Sequence, residues 1–177
     1  MPQVFENFDL SDVWQPNTYA DANYKEAPFT PEILAAVEAE LGYKLPQSFI
    51  ALMAVQNGGV FRNTCFPTTQ ENSWSEDHVM ICKVSGIGFE KSGSLCGEMG
   101  QAKWSEDWGY PPIGVYFADD PSAGHAAFAL DYRECGQDGE PKVVLVEQEW
   151  DYEIVELAPN FETFIRHLRH EDEFLDE

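Results

Sequence analysis

The chain has 177 residues, 44% hydrophobic and 14% aromatic, which suits one domain with a real core and excludes wholesale disorder. Lys plus Arg total 10 against 32 Asp plus Glu, a formal charge of -22 that repels nucleic-acid phosphates and anionic lipid. That charge attracts basic partners, or it serves solubility alone.

No apolar run approaches the ~18 residues of a membrane span. The opening MPQVFENFDLSD lacks the basic-then-apolar pattern of a signal peptide, so the cytoplasm is the expected location. Cys65, Cys82, Cys96 and Cys135 form no CxxC and are expected to be reduced and buried.

Residues 1–29 mix acids, aromatics and turn formers and read as an extended arm packed by its aromatics. Thr30-Pro31-Glu32 starts a helix: Thr caps, Pro suits the first position and Glu answers the dipole. Ile33, Leu34, Val37 and Leu41 follow at helical spacing, and Gly42 stops the run. LPQSFIALMAVQNGG (45–59) makes the next helix, with Pro46 at its start and Asn57-Gly58-Gly59 at its end. The two helices are expected to pack as a hairpin.

Residues 60–77 carry turn chemistry, including Asn72-Ser73, and read as a long loop; HVMICKV (78–84) reads as a strand. Residues 85–112 read as irregular, with a short helix near Met99 to Trp104. Four β-rich segments follow at 113–118, 126–132, 142–148 and 152–157, joined by links too short for parallel crossovers. Asn160 then caps a helix from Phe161 to about Arg169, and the tail HEDEFLDE is expected to fray. The order predicts an α+β single domain, a mainly antiparallel sheet with helices on one face. The expected divisions are an arm over 1–29, a domain over 30–170 and an acidic tail over 171–177.

No phosphate-binding, nucleophile-elbow or zinc-protease motif occurs. Gly86-Ile87-Gly88 is followed by Phe89, Glu90 and Lys91 in place of a nucleotide-binding pattern. Asp119-Asp120-Pro121-Ser122-Ala123-Gly124-His125 collects two carboxylates, a hydroxyl and an imidazole in one loop. It reads as a metal or acid–base site, or as turn chemistry, which its residue types favour. Asp131 could orient His125 as a dyad, or serve as a structural pair. His167 and His170 could share a metal, or suit the negative end of the last helix. Trp104, Trp108 and Tyr110, interleaved with Glu106 and Asp107, suit a basic protein surface, or they cover the sheet edge.

LPQSFIALMAVQNGG, preceded by TPEILAAVEAELGYKL, resembles the N-terminal helix pair of the SUKH superfamily, matching at Leu45, Pro46, Phe49, Asn57 and Gly58. The segment from IGVYFADD to VVLVEQE, followed by LAPNFETFIRHL, resembles that superfamily's strand meander and closing helix. The likeness spans roughly 28–170 and is weakest over 60–110. It implies an α+β domain with no catalytic residue and no cofactor or metal. Bacterial members are typically intracellular immunity proteins that neutralise a toxin domain, often a nuclease; fungal members are regulatory interaction proteins.

The reading is therefore a non-catalytic binder that masks the active site of a basic toxin, with neither nucleic acid nor membrane as partner. The contact residues expected are Trp104, Glu106, Asp107, Trp108, Asp119 and Asp120. A regulatory scaffold, or a hydrolase using His125 with Asp119 or Asp131, are the rivals.

Overall fold

The structure, a computed structural model, describes residues 4–69, 75, 77–121 and 125–174. The expected Asn72-Ser73 turn and Ser122-Ala123-Gly124 lie outside them. Seven strands form one antiparallel sheet: β1 (Trp14–Gln15), β2 (Gly59–Phe61), β5 (Lys83–Val84), β6 (Gly114–Asp119), β7 (Ala126–Asp131), β8 (Lys142–Glu147) and β9 (Glu153–Ala158), in the spatial order β1-β2-β5-β6-β7-β8-β9. A two-stranded ribbon pairs β3 (Cys65–Pro67) with β4 (His78–Met80). The helices are α1 (Thr18–Asn23), α2 (Pro31–Leu41), α3 (Gln47–Val55) and α4 (Phe161–Arg166). The fold is α+β, and its C-terminal strands form the meander that the short links predict.

Local chemistry sets the helix ends. Thr30 Oγ1 accepts from Ile33 N at 3.2 Å to open α2, and Gly42 closes it at φ 85°. Asn160 Oδ1 accepts from Thr163 N at 2.8 Å to open α4. Gln56, in extended conformation, ends α3, and the positive φ falls on Gly58 and Gly59. At Gly58 a Cβ would lie 2.5 Å from Tyr24 O, so close backbone approach also demands glycine there.

One face of the sheet holds the main core. Phe49 of α3 and Phe161 of α4 meet edge-on at 5.1 Å, and both rings contact Phe117 of β6. Val115, Phe128, Leu130, Val143, Leu145 and Val155 extend this face. The opposite face holds a second, smaller core: Trp104, Tyr110, Ile113, Tyr116, Ala127, Ala129, Val144 and Val146. β7 is buried along both faces, which explains why AAFALD carries no alternation of apolar and polar residues.

The structure corrects several sequence expectations. Residues 4–29 are not an extended arm: they contain a 3-10 turn at Leu10–Asp12, the edge strand β1 and helix α1. HVMICKV breaks at Ile81-Cys82, giving β4 to the ribbon and β5 to the sheet, and the expected loop 60–77 contains β3 and the end of β2. The short helix expected near Met99 to Trp104 begins at Gln101 and runs on as a π-helical turn at Lys103–Asp107. The last helix ends at Arg166, because Arg169 pairs with Cys65 of β3 through backbone bonds of 2.6 and 3.0 Å. The tail is folded through Phe174, whose ring stacks on His78 at 4.3 Å.

Candidate protein-binding surface

Three loops meet on the side of the second core. The first is the segment Trp104–Tyr110. Gln101 anchors it by acting like a strand at the uncovered start of β6: its amide donates to Gly114 O at 2.7 Å and accepts from Tyr116 N at 2.8 Å. Trp104 then lies buried on the sheet, edge-on to Trp108 at 4.8 Å and to Tyr110 at 5.0 Å. The alanines of β7 on this face leave room for these rings. Burial pushes the Tyr110 and Tyr116 hydroxyls well above the ordinary phenol range.

The second loop is the β8–β9 turn. Asp151 and Tyr152 both hold positive φ, 58° and 62°, which is uncommon for an aromatic residue. That conformation brings Tyr152 Oη to donate to Trp108 O at 2.7 Å, while its ring meets Tyr110 at 5.2 Å. The third loop is β6–β7, tied to the second where Gln148 N donates to His125 O at 2.9 Å and His125 Nδ1 meets Glu149 Oε1 at 2.6 Å.

The six residues expected from sequence fall into two groups on this frame. Glu106 and Asp107 are exposed and Trp108 is half-buried. Trp104 and Asp120 are buried, and half-buried Asp119 accepts from Lys83 N at 2.8 Å through Oδ1. Burial pushes the Asp119 carboxyl up and the Lys83 ammonium down from their ordinary ranges, while the attraction between them opposes both shifts. Glu149, Trp150 and Asp151, the short link between the β-rich segments 142–148 and 152–157, are exposed beside them. The available signal was a tryptophan held between two acids in so short a link.

The His125–Asp131 dyad does not assemble. The two residues flank opposite ends of β7, and the Asp131 carboxylate is occupied by Arg133, at 3.0 Å from Nε and 2.8 Å from Nη2. Asp119 turns to Lys83 instead of His125. His167 Nδ1 donates to Thr163 O at 2.8 Å, and His170 Nδ1 accepts from Asp172 N at 3.2 Å, so each has its own partner. Among the described residues, no group of three or more His, Cys, Asp or Glu side chains could hold a metal ion. Nor is any helix there long and apolar enough to cross a membrane.

The segment 28–167 matches the model of the SMI1 / KNR4 family (SUKH-1). No curated protein matches the chain.

Proposed function

The chain belongs to the SMI1/KNR4 (SUKH-1) family, and from that premise we propose that it is a non-catalytic protein-binding module acting as an immunity protein. It neutralises a basic toxin domain, best fitted by a nuclease, by covering the active cleft. The observation that carries this reading is the set of outward acids on the three joined loops. Asp107 is balanced by Lys103 at 3.3 Å, and Glu149 Oε1 lies 2.6 Å from His125 Nδ1. Among the described residues, Glu106 and Asp151, and Glu153 at the start of β9, form no ion pair.

A cleft built to hold phosphates is electropositive, and carboxylates on a firm aromatic base complement it. Long-range attraction speeds the encounter, and Trp150 and Trp108 supply apolar contact once charges have oriented the pair. The firm base comes from Trp104 and Tyr152, which fix the loops before a partner arrives.

The test is co-expression with a basic toxin domain encoded beside the gene. Cells making this chain are expected to survive, and changing Glu106, Glu149 and Asp151 together to Lys is expected to restore killing. Undiminished killing in the presence of the unaltered chain sinks the reading. Binding without rescue favours a regulatory scaffold.

A further inference from the structure

Next to the three loops runs a groove of about 290 Å³ between the end of α2 and the segment 95–106. Leu41, Phe89 and Leu95 line it, with Glu40 on the α2 wall and Glu106 on the wall made by the π-helical turn. Phe89 is 43% exposed, unusual for so large an apolar ring.

The groove is strongly negative. Among the described residues neither Glu40 nor Glu106 forms an ion pair, and the lysine nearest each of them in sequence pairs with another acid. Lys44 meets Glu38 at 3.8 Å, and Lys103 meets Asp107 at 3.3 Å. Cys96, also in the lining, has its thiol pushed up to about 11 by burial, with the Glu40 charge adding to the shift. The walls are fixed on both sides: Gln101 binds one to β6, and Glu26 binds the Phe89 segment by accepting from Glu90 N at 2.7 Å and Ser94 Oγ at 2.6 Å.

We propose that this groove docks a cationic segment of the partner, with one apolar side chain on Phe89 between lysines or arginines that meet Glu40 and Glu106. The inference rests on the protein-binding reading and gives the chemistry the partner must present. A neutral segment would cover two carboxylates without compensating them, and an acidic one would be repelled.

The probe is a synthetic amidated peptide with one tryptophan flanked on each side by two arginines, titrated into the isotope-labelled full chain and followed by NMR. Shifts are expected at Leu41, Phe89 and Cys96. The double variant Glu40→Lys with Glu106→Lys is expected to weaken binding roughly tenfold or more. A control with the same change of charge, Asp138→Lys with Glu171→Lys, is expected to weaken it less than about twofold. All four side chains are exposed, and Phe89→Ser adds a variant that removes the anchor at constant charge. Shifts spread over the whole acidic surface, or equal losses in the two double variants, overturn the groove.

The toxin assay separates the two ideas. Rescue by the unaltered chain that persists in the Glu40→Lys, Glu106→Lys variant overturns the groove and leaves the immunity reading standing. Peptide docking in the groove without rescue does the reverse.

Discussion

The side chain of Asn57 and the backbone of Ile87 bond each other twice: Asn57 Nδ2 donates to Ile87 O at 2.9 Å, and Ile87 N donates to Asn57 Oδ1 at 2.7 Å. The same amide donates to Ala27 O at 2.9 Å, and Asn57 O accepts from Glu26 N at 2.8 Å. One asparagine thus joins the end of α3 to two irregular segments whose buried backbone groups would otherwise lack partners. Gly86 is required beside it, since a Cβ there would lie 2.2 Å from Asn57 O.

Asn57→Ala is expected to cost about 2–4 kcal/mol, because it strands buried donors and acceptors as well as deleting bonds. Asn57→Asp is expected to cost more, since it sets a carboxylate against two carbonyls. Urea unfolding followed by tryptophan fluorescence measures both. A midpoint within error of the unaltered protein would refute the staple.

Glu26 does for residues 88–94 what Asn57 does for 86–87. Its Oε2 accepts from Glu90 N, Lys91 N and Ser94 Oγ, at 2.7, 3.1 and 2.6 Å. Glu26→Ala is expected to cost about 2–3 kcal/mol and to speed amide exchange at Glu90 and Lys91 more than in β7. Uniform exchange changes would mean that the residue supports the whole fold and not this segment. Since the segment carries Phe89, the variant is also expected to loosen the groove.

Asp131 gives a pH dependence with a definite sign. Burial pushes its carboxyl up, but the Arg133 hydrogen bonds and the Arg133 and Lys142 charges outweigh that and hold it below the ordinary carboxylate range. A depressed folded value means that the unfolded chain takes up the proton first as pH falls. The contribution is therefore complete above about pH 4 and is lost as pH drops from 3.8 through the folded value. Asp131→Asn is expected to cost about 1–3 kcal/mol at pH 7 and progressively less below pH 4. Chemical denaturation at pH 7, 5 and 3 reads the trend, and a cost that grows toward low pH contradicts it.

Features set by neighbouring residues were legible in the sequence. Thr30, Pro31 and Gly42 bound α2 through contacts within a few residues, and Asn160 caps α4 in the same way. The meander was legible because short links leave only antiparallel pairing. β1 and β2 were not: two or three residues show no periodicity, and Trp14 pairs with Phe61 across an intervening stretch that holds α1, α2 and α3. Glu26 looked like one acid among many, because its three partners lie more than sixty residues away. The tryptophans posed a different difficulty, since a loop residue looks the same in sequence whether it faces solvent or a sheet. Ala127 and Ala129, small side chains on one face of β7, were the trace of the rings that cover them.

That difference yields a contrast between two tryptophans. Trp104 is 2% exposed at the centre of the second core, whereas Trp150 is 37% exposed on the β8–β9 turn. Trp104→Ala empties a packed site and is expected to cost about 3–5 kcal/mol, with weaker partner binding only as a consequence of the disordered loops. Trp150→Ala is expected to leave stability within about 0.5 kcal/mol and to weaken toxin binding by about tenfold, as loss of an exposed aromatic anchor does. Thermal melts and calorimetric titration on the same preparations separate the effects. If Trp150→Ala lowers the melting temperature while binding holds, the turn is a structural brace and the contact surface must lie elsewhere.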